Sequence, residues 1–250
     1  MAGWPIPPGP GIVIYLTLVT IILVRYITIA GVIHYLLWMR DPEKVRAEQL
    51  TQRKPTRETV MHEIRLSTLS SFIYAAPGAV LIEMWKQGGT AIYSGPIDGV
   101  FGWIYTLFSA GLYLFLHDTY FYWTHRWMHC RAVFSRIHAG HHRSVQPTPW
   151  ASFSFDPAEA LISAWFLPVI ALFIPIHVGT VLALLVIMTM NAVFNHAGWE
   201  IYPKKWLNGW FGRVLITATH HNLHHTRFSG NYGLYFRFWD RVMGTDHDVP

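Results

Sequence analysis

The residues of this sequence that can do chemistry are its histidines, and most of them are crowded into three places. His117, His125, His129, His138, His141 and His142 fall within a single run, HDTYFYWTHRWMHCRAVFSRIHAGHH. His220, His221, His224 and His225 share the run THHNLHH, and His196 stands alone between the two. Eleven of the 15 histidines are gathered in this way, in a chain that is otherwise apolar. Imidazole is the commonest protein ligand of transition metals. Positions i, i+3 and i+4 share one helix face, so HRWMH at 125–129 offers one clasp, and HAGHH at 138–142 and HNLHH at 221–225 each offer an HxxHH cluster. With His196 these boxes supply nine nitrogens. That is too many for one ion; two ions, each with four or five imidazoles and an open position, use them all.

Ligand type alone leaves Zn, Cu, Fe and Ni open. A hydrolytic HExxH zinc motif has its nearest counterpart in HEIRL at 62–66, which lacks the second histidine. Haem needs only one or two axial histidines. Two irons handling O2 is the reading that uses this many nitrogens. His34, His62, His177 and His247 read as ordinary hydrogen-bonding or interfacial residues. The boxes are interspersed with Trp, Phe and Leu, which sets aside a disordered histidine tract.

The elements that must hold these boxes are apolar. The chain is 52% hydrophobic and 13% charged, against about 25% charged in a soluble domain, which points to a membrane protein. Its one cysteine, Cys130, excludes an internal disulfide and thiolate-held zinc or iron–sulfur sites. The net charge of +5 reads as a basic membrane-facing rim rather than a nucleic-acid surface.

The opening MAGWPIPPGP lacks the basic region and cleavage site of a signal peptide and is read as retained. The run 11–39, interrupted by Arg25 and His34, is long enough for one tilted crossing. Arg25 is expected to face a protein neighbour or to snorkel. A second crossing at 64–85 is expected to kink near Pro77-Gly78, and a third begins at Val100 and continues as one helix through His117. The prolines of PTPWASFSFDP forbid a regular helix there. The segments 158–176 and 179–193 are two more crossings or a helical hairpin. Seventeen of the 19 basic residues lie at 40–65, around the first histidine run and in the tail. Five crossings with an outside N-terminus place all three regions, and both histidine runs, on the cytosolic side. The expectation is an all-α integral membrane bundle of four to five crossings. It is a single domain over 1–250 with its catalytic core at about 100–250, and a cytosolic helical cap carries the boxes.

The three boxes resemble the HxxxH, HxxHH and HxxHH boxes of the fatty acid hydroxylase/sterol desaturase superfamily. PTPWASFSFDPAEA at 147–160 is similar to the segment that follows the second box in sterol C5-desaturase-like members, and NYGLYFRFWDRVMGT at 231–245 to the family's terminal NYG…WDR…GT segment. The resemblance implies a non-haem di-iron oxygenase that hydroxylates or desaturates an unactivated C–H position of a sterol or fatty acyl lipid, with O2 as co-substrate. Carried over box by box, the implied ligands are His125, His129, His138, His141, His142, His221, His224 and His225. His196, in NHAGWE, sits where related hydroxylases supply a further HxxxH; here the position four before it is Ala192, so that pair is incomplete. His117, His220 and Asn191 are the candidates to complete a coordination shell or to support one. Among the carboxylates Asp118, Asp156, Glu159 and Asp240, the last two are expected to orient imidazoles, with helix capping near Pro157 and ion pairs to Arg237 or Arg241 as competing roles. No flavin, dinucleotide or haem-attachment motif is present, so the electrons are expected from a cytochrome b5-like or ferredoxin-like carrier, whose acidic surface would suit the basic rim. With no KDEL-type signal, a bacterial inner membrane and the endoplasmic reticulum both stay open. Two other classes compete: a histidine-rich metal transporter, with ligands near the bilayer midplane, and a membrane haem electron-transfer protein.

Overall fold

The computed structural model describes residues 11–40, 48–50 and 54–247. The opening MAGWPIPPGP and the basic residues Lys44, Arg46 and Arg53 lie outside the described residues. The first apolar run forms α1 (Gly11–His34), prolonged by a π-helical turn at Tyr35–Met39. α2 (Arg57–Lys86) begins at Thr56, whose hydroxyl accepts the Thr59 N–H and so satisfies one of the donors left open at a helix start. Pro77 lies buried inside α2. α3 (Gly99–Met128) runs unbroken through His117 into the first box. α8 (Val178–Asn195) is opened by His177, whose Nδ1 accepts the Gly179 N–H.

By length and composition these four segments are each able to cross a membrane. Their outer faces carry bare apolar side chains, among them Phe101 at 86% and Leu107 at 72% exposure. A contiguous apolar belt of this kind suits a lipid surround.

The segment 158–176 differs from a regular helix. It forms α6 (Pro157–Ala164) and α7 (Phe166–Ile170), interrupted at Trp165. An extended stretch follows, in which β3 (Ile176–His177) pairs in parallel with β2 (Ile92–Tyr93). It still traverses the bundle, running back along α3: Tyr120 donates to the Ile162 carbonyl at 2.7 Å, Tyr113 to that of Ile174 at 2.7 Å, and Tyr105 to that of Pro175 at 2.8 Å. Pro168 and Pro175 deprive a continuous helix of donors, and the α3 hydroxyls take up carbonyls left without helical partners. Among the described residues, four long helices and one broken pass therefore cross the bundle, so the end of α3 and the end of α8 meet at the same side.

At that side sit the short elements of the cap: α4 (Arg131–Ile137), α5 (Ala139–His142), a 3-10 turn at Pro149–Phe153, α9 (Lys204–Leu207), α10 (Trp210–Val214), α11 (Ala218–Arg227) and α12 (Phe238–Val242). β1 (Glu48–Gln49) pairs antiparallel with β4 (Trp199–Glu200). The proline-rich segment is wedged between α1, α2 and α8. Tyr26 and Ser67 both donate to the Trp150 carbonyl, at 2.8 and 2.9 Å, and Tyr26 stacks on Phe153. An irregular backbone can be buried here because side chains satisfy its polar groups.

Candidate metal centre

Nine histidines converge where α3, α5, α8 and α11 meet, in two groups. His125, His129, His138, His142 and His224 form one, and His141, His196, His221 and His225 the other; within each group the ligand nitrogens lie within 4.8 Å of one another. Each HxxHH box is divided between the two. His138 and His142, four apart, serve the first group while His141 serves the second; His221 and His225 serve the second while His224 serves the first. Adjacent residues project about 100° apart around a helix, so neighbouring histidines point to different centres. The second group has one imidazole fewer than the first, and Ala192 stands four residues before its His196.

The outer nitrogens are held by the fold. His125 Nδ1 donates to the Tyr232 carbonyl at 2.9 Å, His141 Nδ1 to that of Ser154 at 3.1 Å, His224 Nδ1 to that of Gly230 at 2.9 Å and His196 Nδ1 to that of Ala192 at 2.7 Å. Glu159 Oε2 lies 2.8 Å from His138 Nδ1, both side chains being 1% exposed. A carbonyl only accepts, so each of the four carbonyl-held rings, when neutral, carries its proton on Nδ1 and turns a bare Nε2 inward. The Nε2 atoms of His141 and His196 then face each other at 3.4 Å with no proton between them, and His125 turns its bare Nε2 to that of His138 at 3.0 Å. A shared cation resolves such an opposition of lone pairs, and this donor chemistry fits borderline transition metals.

Burial also keeps the imidazoles neutral. It pushes His129 and His196 down to about 4 and, with the nearby His129, pushes His224 down to about 3. His138, His141, His221 and His225 are held well below the ordinary imidazole value, first by burial and then by neighbouring imidazoles. Neutral rings at neutral pH are the form that binds metal.

Carboxylates behind the boxes fix the backbone. Asp156 Oδ2 accepts the Gly140 N–H at 2.7 Å, and a Cβ at Gly140 would collide with that carboxylate, so only glycine fits within HAGHH. Asp118 Oδ1 accepts three N–H groups, from Leu234, Tyr235 and Phe236, at 2.9, 2.7 and 3.1 Å. Asp240 accepts the Tyr232 and Gly233 N–H groups at 2.9 and 2.8 Å. Together they shape the loop whose Tyr232 carbonyl orients His125. Glu200 accepts the Thr219 N–H and hydroxyl at the start of α11, and Glu63 accepts from Thr148 beside the proline-rich segment.

Several expected roles fall differently. His117 shares the α3 face of His125, but about 12 Å further along the helix axis; its Nδ1 meets the Tyr235 hydroxyl at 2.9 Å and its ring stacks on Phe166. His220 Nδ1 accepts from Thr217 in a capping box that starts α11. Asn191 donates to the Leu234 carbonyl at 3.1 Å. Neither of the two histidines belongs to either group. Asp240 orients no imidazole directly, and the ion pairs with Arg237 and Arg241 are made by Asp246. The carbonyls of Tyr232, Ser154 and Gly230, and the carboxylates of Glu63 and Glu200, escape sequence reasoning. Only HEIRL hinted at Glu63, and it read as a failed zinc motif.

Beneath the groups lies an apolar cavity of about 640 Å³ between α1, α2, α6–α7 and α8, walled at one end by Phe155, Ala192, His117 and Tyr235. Phe155 also packs on His141, ring centres 5.4 Å apart. The size is that of a small-molecule site.

The chain matches the fatty acid hydroxylase family model over residues 110–245. Lathosterol oxidase of Mus musculus is 29% identical over 225 residues, covering 89% of this chain and 70% of that protein. A Delta(7)-sterol 5(6)-desaturase of Gibberella zeae is 33% identical over 159 residues, covering 64% of this chain and 43% of that protein. Human lathosterol oxidase is 31% identical over 150 residues, covering 59% of this chain and 46% of that protein. No solved structure matches.

Proposed function

From the premise that the chain belongs to the fatty acid hydroxylase family, we propose that it is a multi-pass membrane di-iron oxygenase acting on an unactivated C–H position of a lipid. The observation that carries this reading is the pair of buried imidazole groups set at one end of an apolar cavity. The relatives are named for lathosterol and Delta(7)-sterols, which favours a sterol over a fatty acyl chain as substrate class. When bound, the two irons supply the O2 and one-electron chemistry that such a carbon requires. Either outcome, alcohol or alkene, consumes O2, electrons and protons and releases water.

The chain's own residues set up the rest. Five of the nine imidazoles, His125, His141, His196 and His224 through carbonyls and His138 through Glu159, are already held at Nδ1 with Nε2 turned inward, which limits the rearrangement needed on loading. The four-imidazole group is the one nearest the cavity: Ala192, in place of a fifth ligand, lines its wall, as does Phe155 against His141. The open position therefore faces the substrate. The apolar walls exclude water from the reacting carbon.

Electrons come from a separate acidic carrier, cytochrome b5-like or ferredoxin-like, docking against exposed Arg131, Arg136 and Arg227 at the cap. The same basic residues favour a cytosolic cap, on an endoplasmic reticulum or bacterial inner membrane. A transporter would hold its ligands near mid-membrane, whereas these gather at the end of the bundle.

Metal analysis and a visible spectrum of the purified protein test the reading, with lipid mass spectrometry of cells carrying and lacking the gene. About two irons per chain without a Soret band, and lipids shifted by one oxygen or two hydrogens, are expected. Haem, or zinc with no lipid oxidation under reducing conditions, would overturn it.

A further inference from the structure

α1 carries one charged side chain in its apolar stretch, Arg25, on the stripe with Leu18, Ile22 and Ile14 that faces the cavity. Arg25 lines that cavity, its Nε is buried without a hydrogen-bond partner, and no carboxylate pairs with it among the described residues. The expected protein neighbour is therefore missing, and an enclosed Nε argues against a side chain extended to the membrane surface. A guanidinium in an apolar enclosure is costly unless something that enters the enclosure pairs with it.

Its level in the bundle is fixed by its neighbour. Tyr26 bonds the Trp150 carbonyl at 2.8 Å and stacks on Phe153, which also lines the cavity. Phe155, two residues on, packs against His141. Arg25 thus stands toward the metal-centre end, and the remaining walls, from Val13 and Val178 to Trp85, are almost wholly apolar.

We propose that Arg25 anchors the substrate by donating to an oxygen acceptor, a hydroxyl or carboxylate, on an otherwise apolar lipid. The oxygen end then lies toward the metal centre, the apolar body fills the rest of the cavity, and the carbon oxidised is close along the molecule to the anchored oxygen. This rests on the reading of the cavity as the lipid substrate site. The planar fork of the guanidinium suits both acceptors.

The test is equilibrium binding to the purified full-length protein in nanodiscs, using two matched pairs: a 3-hydroxysterol with its 3-deoxy hydrocarbon, and a long-chain fatty acid with the alkane of equal length. The wild type is expected to favour the oxygenated member of one pair by roughly 10- to 100-fold, as for a hydrogen bond to a charged group. Preference in the sterol pair identifies the hydroxyl, and preference in the acid pair the carboxylate. R25M should bring that ratio to about one while binding the hydrocarbon as before, and R25K should keep part of it. An unchanged ratio in R25M, or in R25K and R25Q if R25M fails to fold, overturns the anchor. Wild-type protein that binds all four lipids alike overturns the anchor alone; wild-type protein that binds none overturns the lipid reading with it.

Discussion

Glu159 offers the sharpest probe of the metal centre, because it touches one group of imidazoles and not the other. Its Oε2 sits 2.8 Å from His138 Nδ1 with both side chains 1% exposed, and His138 belongs to the five-imidazole group. Glu159→Gln keeps an oxygen at that distance in place of a carboxyl that burial pushes well above the usual carboxylate range. A neutral hydrogen bond is worth about 0.5–1.5 kcal/mol, so up to about tenfold in affinity is at stake. Glu159→Leu strands a buried N–H, which costs about 1–3 kcal/mol and brings the loss to roughly 10- to 100-fold, the range usual for partners of ligating histidines. Anaerobic Fe(II) titration of metal-stripped protein should show two binding steps, only one of which weakens in either variant. Equal weakening of both steps, or a Glu159→Leu curve that overlays the wild type, would refute the division of the histidines into two centres.

Ala192→His restores a histidine four residues before His196 and fills the cavity end; metal content should hold or rise while lipid oxidation falls at least about tenfold, and unchanged turnover would refute the open position assigned there. Gly140→Ala drives a methyl into the Asp156 carboxylate, an overpacking cost of about 1–3 kcal/mol, and should lower the metal content of both centres together by displacing α5; full loading would show that α5 tolerates the shift. In metal-free protein, His129 and His196 have folded-state values of about 4, below the unfolded value of about 6.5. The unfolded chain therefore binds more protons between these values. Stability should be complete above pH ~6.5 and fall toward pH ~4, by up to about 1.4 kcal/mol per unit for each such ring. Thermal melts across that window check the sign, and a flat profile would contradict neutral buried imidazoles.

Much of this molecule is local in origin. Hydropathy marks the apolar helices, and the four-residue spacing within each box places imidazole pairs on common helix faces before any tertiary contact exists. The broken fourth pass was not legible, because a run of apolar residues reads alike whether its carbonyls are bonded within the helix or to Tyr105, Tyr113 and Tyr120 of α3. The carbonyls that orient His125, His141 and His224 belong to Tyr232, Ser154 and Gly230. As backbone atoms they leave no trace in residue type. His117 looked equivalent to a ligand by periodicity, yet two turns of helix carry it away from the two histidine groups and to the cavity wall.

The sequence by itself determined which side chains can bind metal and that they serve a membrane protein, since imidazole chemistry and apolar helices follow from residue type and short-range spacing. Only the tertiary structure decided how the nine histidines divide into two groups, and that Ala192 and Arg25 line the same cavity. Those outcomes depend on α1, α3, α5, α8 and α11 meeting across long stretches of chain, where packing rather than sequence proximity sets the distances.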